Sequence, residues 1–141
     1  MKKLFQPKNF KNVLKNKRFY SNEVWIVSAA RTPVTIFQGS FSNFSGPELG
    51  SFAIKGAFEK AKIDPNIVEE VILGNVVSSN VGQAPASQAS IKSGIPNTVP
   101  CTTINKVCAS GMKSITFGAQ SIMLGLRDVV LCGGFERYLS T

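Results

Sequence analysis

Residues 99–115 read VPCTTINKVCASGMKSI, and the fold turns on how this stretch is divided. Its first half, residues 99–105, has the β-branched side chains of a short buried strand. From there apolar side chains fall at Cys108, Met112, Ile115, Ala119, Ile122 and Leu126. That alternation of four and three is the period of one helix face. A strand therefore hands over to a helix at Cys108. Free N–H groups and the positive end of the helix dipole favour a thiolate at such a place. Gly111 allows close approach of a backbone or a substrate, and Ala109 and Ser110 add little bulk. Two readings stay open on these residues alone. Cys108 is a nucleophile just beyond a strand end, where open α/β sheets carry their chemistry, or it is a small core residue, the commoner fate of a lone cysteine on an apolar face.

Working upstream, residues 84–93 predict a short helix closed by Gly94. Its Ala86, Ala89 and Ser90 are small enough to pack closely against another backbone. Residues 68–77, VEEVILGNVV, predict a strand. Glu69 and Glu70 are adjacent and so point to opposite faces, which suits a solvated strand entrance better than an acid/base pair. Ser45-Gly46-Pro47-Glu48 is a helix start with a capping box, and Asp64-Pro65 ends that helix. Residues 34–45 hold Phe37, Phe41 and Phe44 and form a loop too apolar to lie bare. Residues 23–30, EVWIVSAA, predict a strand buried on both faces of a parallel sheet. Downstream, residues 128–134, DVVLCGG, predict a last buried strand. The order β-α-β-α-β-α-β is that of a parallel, layered α/β domain.

The formal charge of +8 points to nucleic acid or a membrane surface until it is located. Seven of the sixteen basic residues lie in residues 1–20 with no acidic one, leaving nine basic against eight acidic residues from Ser21 onward. The excess belongs to a leader. Drawn as a helix, the leader places Lys8, Lys11, Lys15 and Arg18 opposite Phe10, Val13 and Leu14, the composition of a mitochondrial targeting segment. Arg18-Phe19-Tyr20 before Ser21 resembles a presequence cleavage site. The expected organisation is a targeting segment at 1–20 and one domain at 21–141, located in the mitochondrial matrix.

Several chemistries are set aside. No apolar run is long enough to span a membrane, and aromatics do not interleave with the basic residues as a nucleic-acid surface needs. There is no phosphate-loop motif. Cys101, Cys108 and Cys132 form no CxxC pair and the chain has no histidine, which argues against a zinc site or a disulfide framework. Cys108 remains the one candidate of weight, yet cysteine catalysis usually relies on a neighbouring histidine.

Residues 100–113, PCTTINKVCASGMK, closely resemble the nucleophile segment of thiolases, specifically of the mitochondrial acetyl-CoA acetyltransferase type. The resemblance covers nearly all of residues 24–136. It includes VSAARTPV, the GNV at Gly74, GQAP at Gly82, Gln88-Ala89, and GG-x-E ending at Glu136. It implies a layered α-β-α, thiolase-like N-terminal half with a mixed, mostly parallel sheet, incomplete by itself. It also implies that Cys108 takes the acetyl group of one acetyl-CoA as a thioester. A second acetyl-CoA, deprotonated at its methyl carbon, then accepts it to give acetoacetyl-CoA, and thiolysis is the reverse. Coenzyme A thioesters are substrates, with no resident cofactor or metal. Partners by resemblance are a homo-oligomer or a complete thiolase subunit.

The departures shape the expectation. Ser87 stands where the family usually has a basic residue near the subunit interface. After Glu136 the chain reads RYLST. The family's Asn-Glu-Ala-Phe stretch, Gly-His-Pro histidine and second cysteine are not in the 141 residues. Cys101 and Cys132 match neither role. The isolated 141-residue chain is therefore expected to be inactive. The alternative function is a non-catalytic thiolase fragment that associates with a full-length thiolase through its small-residue helix.

Overall fold

In the computed structural model, which describes residues 23–138, the domain is built on one short strand, β1 (Glu70–Gly74). Val71, Ile72 and Leu73 are all buried, as a strand covered on both faces requires. It is flanked in parallel by β2 (Cys101–Ile104) on one side and β3 (Val130–Gly134) on the other, in the order β2-β1-β3. Helices connect them: α1 (Gly46–Ala61) ahead of β1, α2 (Pro85–Lys92) before β2, and α3 (Ser110–Met123) before β3. Val71 and Leu73 point to the side where Ile54 and Phe58 of α1 and Ala86 and Ala89 of α2 complete the core. Gly74 points to the other side, against Ser110 and Gly111 of α3. Alternation along one strand thus sorts the helices into two layers, and the fold is the layered α-β-α arrangement, an open sheet whose described strands are all parallel. The proposed leader at residues 1–20 lies outside the described residues.

The local signals around α1 are realised atom by atom. The Glu48 N–H donates to the Ser45 Oγ at 3.4 Å, and the Ser45 N–H donates back to the Glu48 carboxylate at 2.8 Å. That is a capping box, which satisfies two helix N-terminal donors that would otherwise lack a partner. The Ser45 N–H, then the Ser45 hydroxyl, then Lys92 of α2 hold the Glu48 carboxyl at about 2, well below its ordinary value. The Lys92 ammonium lies 3.4 Å away, so the same carboxylate ties α1 to α2. Lys62 closes α1 in the left-handed conformation before Asp64-Pro65 begins a short 3-10 turn. Phe41 and Phe44 of the loop before α1 meet edge to face, and Phe44 makes the same contact with Phe52 of α1, while Phe37 of that loop is exposed.

Three expectations are overturned. Residues 23–30 form no strand, and Trp25, Ile26 and Val27 are 72–77 % exposed. The segment lies along α1, where the Ser28 hydroxyl donates to the Ala57 carbonyl at 2.8 Å and the Lys60 ammonium to the Ala29 carbonyl at 3.3 Å. An apolar run satisfies the composition of a buried strand, but a strand also needs a ladder, and here the segment is held by the Ser28 and Lys60 side-chain hydrogen bonds to α1 and from it.

The second correction concerns α3. The face it buries is Ser110, Ser114, Gly118 and Ser121, while Met112, Ile115 and Leu126 of the apolar face are exposed. Small residues let the helix sit almost on the strand backbone. A Cβ on Gly74 would lie 2.6 Å from Ser110, and one on Gly118 would run into the Cys132 sulfur. The buried hydroxyls are satisfied: Ser114 Oγ lies 2.8 Å from the Gly133 carbonyl oxygen and accepts from the Gly133 N–H at 2.9 Å, which removes the cost of burying them.

The third concerns α2. Ala86, Ala89 and Ser90 are buried in the chain's own core rather than offered to another chain. β2 differs in a smaller way, since it is an edge strand with Thr102 and Thr103 exposed.

Candidate active site

Because the three strands are parallel, the loops that leave their C-terminal ends meet on one side of the sheet. Cys108 is there, exposed, on the wall of an open cleft of about 1080 Å³ that runs between α3, β3 and residues 29–42. It stands two residues ahead of the first residue of α3 rather than on the helix. The reason is a tight turn that intervenes. The Ala109 N–H donates to the Lys106 carbonyl at 3.2 Å and the Ser110 N–H to the Val107 carbonyl at 3.0 Å.

Val107, directly before the cysteine, has φ of 52°. A β-branched side chain in the left-handed region is sterically strained and needs its surroundings to hold it there. Two side chains do so. The Val107 N–H donates to the Asn105 Oδ1 at 2.9 Å. The Ser110 hydroxyl accepts from the Lys106 N–H at 2.8 Å and donates to the Val107 carbonyl at 2.6 Å. Ser110 is buried against Gly74. No side chain caps α3 at Ala109, and the Ser110 N–H is taken by the Val107 carbonyl of the turn.

A chain of hydrogen bonds ties this turn to both neighbouring strands. The Asn105 Nδ2 donates to the Val76 carbonyl at 3.4 Å. The N–H groups of Val76 and Val77 both donate to the Glu136 carboxylate, Val77 at 3.1 Å. The Asn75 amide, buried beside them, donates to the Phe135 carbonyl at 3.1 Å. Glu136 thus clamps the loop after β1 to the end of β3, and Asn105 carries that clamp to the cysteine turn.

The sequence singles out Cys108 where a strand hands over to a helix face; it lies between β2 and α3, in a turn past Ile104 and ahead of Ser110, and not on the helix. Asn105, Ser110 and Glu136 were not given roles. The signal for the first two was local: an asparagine two residues before a tight turn and a serine at a helix start both favour side chain to backbone bonds. The Glu136 contact joins residues sixty apart, which no local pattern announces. Cys101 and Cys132 lie in β2 and β3 and are only partly exposed. Burial beneath α3 pushes the Cys132 thiol up to about 11, which keeps it protonated and unreactive at neutral pH. Among the described residues, no cluster of three metal-ligating side chains exists and no helix is long and apolar enough to cross a membrane.

An exposed thiol ahead of an uncapped helix start can attack an acyl carbonyl, with backbone N–H groups near the charge that develops on oxygen. It needs a proton acceptor, and the 141 residues hold no imidazole.

Comparison with known proteins places this arrangement. The family described as "Thiolase, N-terminal domain" matches residues 24–140. Acetyl-CoA acetyltransferase 2 of Arabidopsis thaliana is 55% identical over 119 residues, covering 84% of this chain and 30% of that protein. The mitochondrial acetyl-CoA acetyltransferase of Danio rerio is 55% identical over 115 residues, 82% of this chain and 27% of that one. A cytosolic acetyl-CoA acetyltransferase of Gibberella zeae also matches, 54% identical over 118 residues, 84% of this chain and 30% of that protein. The crystal structure of a thiolase from Ascaris suum in complex with coenzyme A superposes with a TM-score of 0.76 at 43% identity, covering 78% of this chain and 29% of that chain. The chain spans less than a third of the length of these relatives.

Proposed function

The chain belongs to the thiolase family, and on that premise we propose that Cys108 is the acyl-carrying nucleophile of an acetyl-CoA C-acetyltransferase. The Cys108 thiolate attacks the carbonyl carbon of acetyl-CoA, the CoA thiolate leaves and takes up a proton, and the acetyl group stays on Sγ. The carbanion of a second acetyl-CoA then attacks that thioester, giving acetoacetyl-CoA and restoring the cysteine. Read backwards, the steps are thiolysis of a 3-oxoacyl-CoA. The observation that carries this reading is Cys108 itself: it is the exposed cysteine of the three, at the strand ends, inside the family-matched stretch. Coenzyme A thioesters are the substrates and no resident cofactor is required.

A base for the second half of the cycle comes from outside the 141 residues, either from further thiolase sequence or from another subunit. The second reading, a non-catalytic fragment that joins a complete thiolase subunit, is favoured by the exposed apolar face of α3 rather than by α2. A mitochondrial destination rests on the basic leader.

The test is to incubate the folded chain with acetyl-CoA and map acetylation by mass spectrometry. Slow, stoichiometric acetylation of Cys108, absent in Cys108→Ala, is expected. Acetyl groups spread equally over the three cysteines, or absent from all, would overturn the assignment.

A further inference from the structure

We infer that Ser110 is a positioning residue: its buried hydroxyl holds Val107 in the left-handed conformation and so sets where the Cys108 thiol is presented. This rests on the reading of Cys108 as the nucleophile, though its test does not. Val107 is the one β-branched residue of positive φ among the described residues; the other non-glycine cases are Gln38, Lys62, Asn80 and Ala84. A branched side chain gains nothing from that conformation, so the conformation is imposed from outside. The Ser110 hydroxyl spans the turn, with Lys106 N–H on one side and Val107 carbonyl on the other, at 2.8 and 2.6 Å. It has no freedom to drift, because Ser110 is 4 % exposed and its Cβ sits where a side chain on Gly74 would be. Asn105 acts in the same sense from the exposed side through the Val107 N–H.

When the hydroxyl is removed, the turn relaxes toward negative φ and the following residue swings away from the start of α3. Glycine at 107 adopts positive φ without strain, so it makes the hydroxyl dispensable. The two substitutions are therefore coupled, and the coupling separates positioning from mere stability.

The experiment uses the 141-residue chain, with iodoacetamide alkylation of Cys108 followed at one neutral pH and circular dichroism confirming that each variant is folded. Ser110→Ala is expected to slow alkylation of Cys108 about fivefold with Val107 present, a change of the size that one strained residue can produce. In the Val107→Gly chain the same substitution is expected to change the rate less than about twofold. Asn105→Ala, which leaves the packed interior untouched, is expected to follow the same pattern at about threefold, and it serves if Ser110→Ala does not fold. Equal effects in the Val107 and Val107→Gly chains, or no effect in either, overturn the inference. Acetylation by acetyl-CoA is scored separately, so its failure would bear on the proposed function and leave this result standing.

Discussion

The Cys132 thiol lies directly beneath Gly118, so that a methyl group added to the glycine would occupy the space of the sulfur. Because the contact joins the middle of α3 to β3, it sets how near the helix can approach the sheet. Gly118→Ala is expected to destabilise the chain by about 1–3 kcal/mol, the usual cost of overpacking. Chemical denaturation checks this. Adding Cys132→Ala should recover part of the loss, and a double variant no better than Gly118→Ala would show that the clash is not the cause.

The same burial orders the reactivity of the thiols. In folded chain at neutral pH, iodoacetamide should label Cys108 first, while Cys132 resists until the pH approaches about 11. For stability the sign is fixed by a folded-state value raised above the ordinary 9.0. The protonated thiol's contribution is fully present below pH 9 and is lost as pH rises toward 11. Peptide mapping of partly alkylated protein reads the first statement, and denaturation across that range reads the second.

Glu48 sets the acid side. Its folded-state value, about 2, lies below the ordinary 4.5, so its contribution is present above pH 4.5 and lost as pH falls toward 2. Glu48→Gln should lessen the dependence of stability on pH between those values, and Ser45→Ala should weaken α1 by about 1 kcal/mol at neutral pH. An unchanged acid profile in Glu48→Gln would assign the loss to other carboxylates.

Ser90 is fully buried and its hydroxyl finds no hydrogen-bond partner among the described residues. Ser90→Ala removes an unsatisfied polar atom without enlarging the side chain, so it should be neutral or stabilising by about 1 kcal/mol. Loss of stability in that variant would mean that the hydroxyl is satisfied by ordered water.

Assayed alone, the 141 residues should show no turnover in thiolysis of acetoacetyl-CoA. Losing the partner of a nucleophile commonly costs several powers of ten. A reporter fused to residues 1–30 should enter mitochondria and be cut near Tyr20-Ser21. Turnover that vanishes in Cys108→Ala would refute the first expectation, and an uncut cytosolic reporter the second.

Much of the fold was legible because its signals are local. Ser45 and Glu48 are three residues apart, Asp64-Pro65 is a dipeptide, and Gly94 comes right after Ser93, the C-cap of α2, with φ of 96°. What failed was the assignment of neighbours. Periodicity separates the apolar side of α3 from its serine and glycine side, but it carries no statement about which side meets a strand; here closeness of approach decided for the small residues. Residues 23–30 failed for a related reason, since their composition fits burial and their backbone has no ladder. The cysteine turn was half legible: Cys108 and its strand-to-helix setting could be read, whereas the clamp from Glu136 to Val76 is made only when distant segments meet.

The Glu136 clamp bears on the order in which the molecule is assembled. Val71 first finds Cys101 in β2, and only a much later part of the chain brings Leu131 in β3. Residues close in sequence meet sooner, and the longer closure waits. The carboxylate that steadies the loop beside the cysteine arrives with the last strand. During synthesis the turn that carries Cys108 therefore gains this support only as the sheet is completed. Stopped-flow folding of Glu136→Gln would show this as faster unfolding with an unchanged folding rate, the mark of a contact made after the rate-limiting step.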